Sequence, residues 1–220
     1  MADHQKETLA TVLCEDRWQM DSERRSYITF RPDGTGDIVL RRDIPVFICA
    51  VIEWRAVTPS SLDSVNLLDL NKLDADGSAS LPPSVVASEF EIEITMTKRR
   101  PASWGTKVEK MHINEEQLTE DAFAPKRYRV ALEKGEFRSR EDLARFGGDG
   151  AGSGSGAPKP MPGWADKFAL RLVFDKSPYP PREEWKEPGG MPDANRPWEW
   201  REFCGRRYRR TDSGLVRPGE

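Results

Sequence analysis

TFRPDGTGDIVL, residues 29–40, sets two short β-branched and aromatic runs on either side of Pro-Asp-Gly-Thr-Gly. A phosphate cradle needs its glycines to open a helix, as in G-x-x-x-x-G-K-[ST], so that backbone N–H groups converge on the anion. Here the strand-like DIVLRR follows, so the stretch predicts a hairpin. Pro32 presets the turn, Asp33 favours it, and Gly34 or Gly36 supplies a positive φ.

The same pattern continues outward. FICAVIEWRAV places Ile48, Ala50, Ile52 and Trp54 on one face, while Phe47, Cys49 and Val51 keep the other apolar until Glu53 and Arg55 turn it polar. EFEIEITMTK alternates Phe90, Ile92, Ile94 and Met96 against Glu91, Glu93, Thr95 and Thr97, as a strand with one wet face does. RYRVALEKGEF (Tyr128, Val130, Leu132) and KFALRLVF (Phe168, Leu170, Leu172, Phe174) repeat it. WEWREFCGRRYRR reads as a closing strand with Trp198 and Trp200 on one face. With a short strand at Trp18 this makes seven or eight antiparallel strands.

Helical signals are weaker: KETLATVL, NEEQLTEDAF capped by Asn114, and SREDLARF capped by Ser139. Two segments interrupt the pattern. Residues 58–88 are polar and Pro/Ser-rich around an apolar patch, and 147–163, GGDGAGSGSGAPKPMPG, has the composition of a flexible loop. Strands flank both, so the expected organisation is one β-barrel domain over 1–220 with two inserted loops. A chain of 220 residues, 37% hydrophobic and 32% charged, suits a single core.

A net charge of −3 gives no overall field for nucleic acid, and the basic runs KRRP (98–101) and GRRYRR (205–210) read as charges that keep sheet edges soluble. Nucleic acid is therefore not an expected partner. IPVFICAVI, 44–52, is too short to span a bilayer as a helix, and the N-terminal residues lack the features of a secretory leader. Cys14, Cys49 and Cys204 are odd in number and far apart, which predicts free thiols and a cytoplasmic location. NKLDADGSAS fails as a calcium loop, with Lys72 and Pro83 where carboxylates belong. His4 and His112 have no ligand at zinc spacing, and Cys49 reads as an inert buried thiol, so neither metal nor cofactor is expected.

The order of an early Trp18, then YITFRPDGTGDIVL, then FICAVIEWR resembles the lipocalin-like, calycin-type barrels, although EDRWQM carries Asp16 where the Gly-x-Trp signature has glycine. The resemblance implies an all-β, up-and-down barrel of about eight strands holding an apolar or amphipathic small molecule. Some distant relatives act as cofactor-independent isomerases or cyclases on hydrophobic metabolites. On that basis Trp54, Met96, Tyr128, Phe174 and Trp200 are the ligand-binding candidates, with Glu53 or Arg55 as the polar group at the pocket end. A third reading is a non-catalytic interaction module in which the proline-rich Pro178–Trp185 stretch meets another protein. A cavity inside the barrel distinguishes the first two readings from the third.

Overall fold

The computed structural model describes residues 8–15, 17–21, 23, 25–42, 45–63, 84–146, 165–211 and 214–216. Eight antiparallel strands close a barrel in chain order. They are β1 (Trp18–Gln19), β2 (Tyr27–Phe30), β3 (Thr35–Arg41), β4 (Val46–Ala56), β5 (Val85–Met96), β6 (Lys126–Phe137), β7 (Phe168–Phe174) and β8 (Glu202–Arg207). Pairing of Gln19 with Cys204 closes the seam. A separate hairpin, β9 (Arg209–Thr211) and β10 (Gly214–Val216), follows. The all-β barrel expected from alternation is the fold observed. Among the described residues no helix is long and apolar enough to cross a membrane.

Hairpin geometry at β2–β3 explains its composition. The Asp33 carboxylate accepts from Thr35 N (2.9 Å) and Thr35 Oγ1 (2.7 Å), and Gly34 N donates to Arg31 O (3.1 Å). The amides that a phosphate would need are thus already engaged. Gly34 has φ +80°, where a side chain is strained, and a Cβ on Gly36 would stand 2.0 Å from Thr29 O.

Followed once round the barrel, the strand registers accumulate a stagger of about twelve residues, which tilts the strands steeply and widens the lumen. Only large side chains fill such a space. Trp18, Ile28, Phe30, Ile38, Leu40, Ile48, Ile52 and Phe203 do so from one alternating row, each essentially without accessible surface. One end is closed by α1 (Leu9–Glu15), whose Leu9, Val12 and Leu13 join this core while Leu13 O accepts from the Trp18 indole (3.1 Å). The helix α2 (Arg140–Phe146) is capped as expected: Ser139 Oγ accepts from Asp142 N (3.2 Å) and donates to the Asp142 carboxylate (2.7 Å).

Several expectations need correction. NEEQLTEDAF forms two 3-10 turns, Asn114–Glu116 and Glu120–Phe123, because Thr119 N leaves the helix path to bond Glu184 O (2.9 Å). Asn114 is no cap. It sits at φ +53°, fully buried, and its amide accepts from Cys49 N and donates to Cys49 O, both at 2.8 Å. There it replaces the neighbouring strand that β4 lacks at that point, since β5 pairs with β4 only from Ile52 onward. The closing strand begins at Glu202; Trp198 and Trp200 precede it, on and just after the 3-10 turn Pro197–Glu199, where Arg196 adopts a left-handed conformation. Residues 85–88, expected as loop, belong to β5, and Pro59–Leu62 is a 3-10 turn. The remainder of the first inserted segment (64–83, with the calcium-like stretch), all of 147–163, and Trp164 lie outside the described residues.

Candidate functional site

The ligand-binding candidates from the sequence meet in one cluster. Trp54, Met96, Tyr128, Phe174 and Trp200 belong to the same core, none more than 9% exposed. Phe174 packs edge-on against Tyr128 (5.9 Å between centroids) and Phe203 (5.6 Å), and Trp54 packs edge-on against Phe30 (5.1 Å). The Trp54 indole donates to Arg31 O (3.1 Å) and Thr35 O (3.0 Å), and burial pushes the Tyr128 hydroxyl well above its usual range. A ligand-sized void would leave accessible surface on its lining, and these side chains carry little. Glu53 and Arg55, placed by strand alternation on the other face, are exposed on the outer wall. Glu53 is 59% exposed and pairs with Arg99 (2.6 Å); Arg55 is 72% exposed and pairs with Glu93 (2.7 Å). They therefore do not face the interior beside Trp54.

The second end of the barrel is shut by the very stretch that looked like a partner motif. Tyr179 is buried, donates to Val39 O (2.8 Å) and meets Trp200 edge-on at 5.9 Å. Trp185 is also buried; it donates to Pro180 O (3.1 Å) and packs against Phe47 and Trp198. Ser177 Oγ ties the loop to Pro197 O (2.8 Å). The aromatic side chains of Pro178–Trp185 are spent as a plug, and proline rigidity is what lets a loop hold such a position.

Outside the barrel, the segment from Ala102 to Asn114 lies over β2–β4, where Tyr27, Val39, Cys49 and Ile113 form a second apolar cluster flanked by Trp104. Beside it opens a cleft of about 260 Å³ lined by Arg17, Arg25, Arg41, Glu23, Tyr27, Ser103 and Trp104. The Arg17 guanidinium lies 3.9 Å from the centre of the Tyr27 ring, and the Trp104 indole donates to the Tyr27 hydroxyl (3.2 Å). Burial raises the Tyr27 hydroxyl's pKa, opposed by the Trp104 bond and Arg17. Arg25 pairs with Glu23. Arg41 stands apart: among the described residues no carboxylate pairs with it, and its Nε is buried with no hydrogen-bond partner.

Arg100 Nε is likewise buried without a hydrogen-bond partner, but there Glu115 pairs with the guanidinium. In the basic runs seen in the sequence, Lys98, Arg99 and Arg100 pair with Glu120, Glu53 and Glu115, and Arg206 and Arg207 with Glu15 and Asp166. Sequence reasoning missed the cleft because its residues come from separate stretches. The available signal was parity: Tyr27 and Arg41 fall on the strand faces opposite the core row. Cys49 and Cys204 are buried and their thiols are pushed up to about 12, chiefly by burial, which makes them poor nucleophiles. Among the described residues no three His, Cys, Asp or Glu side chains gather as a metal site requires.

No protein-family model, curated protein or solved structure matches the chain. The functional reading therefore rests on the barrel and its surface.

Proposed function

We propose that this chain is a non-catalytic binding protein built on a lipocalin-like barrel, in which the barrel is a solid scaffold and the ligand site is the arginine–aromatic cleft on its outer wall. The observation that carries this reading is the contrast between the two places. Interior side chains are buried against one another, while the outer cleft combines open volume, two aromatic surfaces and the Arg41 guanidinium, whose Nε is buried without a hydrogen-bond partner and which pairs with no carboxylate among the described residues. Interior carriage of an apolar metabolite, or its isomerisation or cyclisation, would need a lumen, and Glu53 and Arg55 point away from it. Three free thiols suit a reducing compartment such as the cytoplasm.

The test uses protein labelled with 5-fluorotryptophan and the small-molecule fraction of the source cells. In fluorine spectra the Trp104 resonance should shift while those of Trp18, Trp54 and Trp200 stay in place. Shifts confined to Trp54 and Trp200 would return the ligand to the lumen and sink the proposal.

A further inference from the structure

We infer that the outer cleft takes a singly charged carboxylate carried on a small aromatic group; this rests on reading that cleft as the ligand site. Arg41 is the deciding residue. Arg17 and Arg25 line the cleft already engaged, Arg17 over the Tyr27 ring and Arg25 with Glu23, and each makes further interactions. Arg41 meets no carboxylate among the described residues. Its Nε is buried, which leaves the two terminal nitrogens as the part of the guanidinium open to the cleft. Approached end-on, that pair matches the two oxygens of one carboxylate through parallel N–H···O bonds. Burial of the unbonded Nε also leaves the guanidinium partly desolvated, a cost that an anion on its outer edge would offset.

Strand register supplies a second donor. Tyr27 pairs with Val39, and Arg41 lies two residues further along β3 on the same outer face, so Tyr27 and Arg41 are diagonal neighbours. Because the Tyr27 oxygen accepts from the Trp104 indole, its own proton is left to donate, and among the described residues nothing accepts it. One guanidinium without a counter-charge and one hydroxyl proton suit a single negative charge spread over two acceptor oxygens. The remaining volume sets the rest of the ligand. About 260 Å³ falls below a typical whole-ligand pocket, so the carboxylate carries a group of about one ring, which the Trp104 face accommodates.

Calorimetric titration of the full chain with benzoate, benzamide, acetate and phenyl phosphate at neutral pH tests this. Benzoate should bind saturably and about tenfold or more tighter than benzamide, which keeps the shape and lacks the charge, or acetate, which keeps the charge and lacks the ring. Phenyl phosphate, with close to two charges, should bind no tighter than benzoate. Arg41→Gln should weaken benzoate about tenfold or more while the melting temperature holds; Arg41→Lys, which keeps the charge and loses the fork, should fall between and covers the case in which the glutamine variant fails to fold. A peptide ending in phenylalanine forms the last arm. Tighter binding than benzoate makes the source a chain terminus, and weaker binding makes it a free metabolite. Absence of saturable benzoate binding, equal affinity for benzamide or acetate, tighter binding of phenyl phosphate, or indifference to both Arg41 variants overturns the inference. If benzamide or phenyl phosphate binds best and moves the Trp104 signal, the ligand class is wrong and the outer site stands; if bound probes move Trp54 and Trp200 instead, the outer site itself is wrong.

Discussion

Replacing Trp54 by Phe separates a scaffold residue from a ligand-binding one. The indole N–H bonds of 3.1 and 3.0 Å to Arg31 O and Thr35 O disappear, but neither carbonyl is orphaned, because Arg31 O still accepts from Gly34 N and Thr35 O from Arg31 N. That loss is worth about 1 kcal/mol. Phe also gives up roughly 40 Å² of buried surface, about 1 kcal/mol, and the cavity left against Phe30 adds up to about as much again. The sum is about 2–3 kcal/mol, or about 5–10 °C in melting temperature for a chain of this size. Urea unfolding followed by circular dichroism reads the first figure and calorimetry the second. Stability within about 0.5 kcal/mol of the parent, combined with weakened binding of an apolar ligand, would refute the reasoning.

Asn114→Ala should cost about 3–5 kcal/mol, because it strands the buried N–H and C=O of Cys49 and puts alanine in the left-handed region; Asn114→Asp, which keeps the acceptor, should cost less in the same urea titration. Gly36→Ala should destabilise more than Gly34→Ala, since one Cβ strikes Thr29 O at 2.0 Å while the other meets only strain at φ +80° and a 3.3 Å contact; equal losses would contradict the hairpin geometry. In the folded protein Cys49 and Cys204 hold their protons up to about pH 12, whereas unfolded thiols ionise from about 9, so their contribution is intact below pH 9 and is lost as pH rises above it. Removing either thiol should therefore make the fall in stability between pH 9 and 11 shallower by up to about 1.4 kcal/mol per pH unit, and an unchanged slope would argue against burial of that thiol.

What was legible in the sequence follows from how locally each feature is encoded. Alternation is local, so β4, β5, β6 and β7 and their inward rows could be read directly, and Pro32-Asp33-Gly34 declared its turn. Closure was harder, because β1 is two residues long and its partner Cys204 lies at the far end of the chain. The role of Asn114 was hidden for a related reason: capping logic looks three residues ahead, while its partner is Cys49, 65 positions away. Tyr179 and Trp185 looked like an offered motif because proline and aromatics mark both recognition loops and plugs, and only the contact with Val39 and Trp200 tells them apart. At the site, Trp54, Met96, Tyr128, Phe174 and Trp200 did come together, as their strand faces implied. Arg17, Arg41 and Trp104 converge only once a loop folds back over the barrel wall, which no window of sequence displays.

The central claim, a filled barrel that binds on its outside, is tested most directly by titrating the protein with a neutral apolar fluorophore such as N-phenyl-1-naphthylamine. A filled lumen gives no saturable fluorescence enhancement at micromolar protein. A saturable one-to-one enhancement that Trp54→Phe weakens and Arg41→Gln leaves intact would contradict the account.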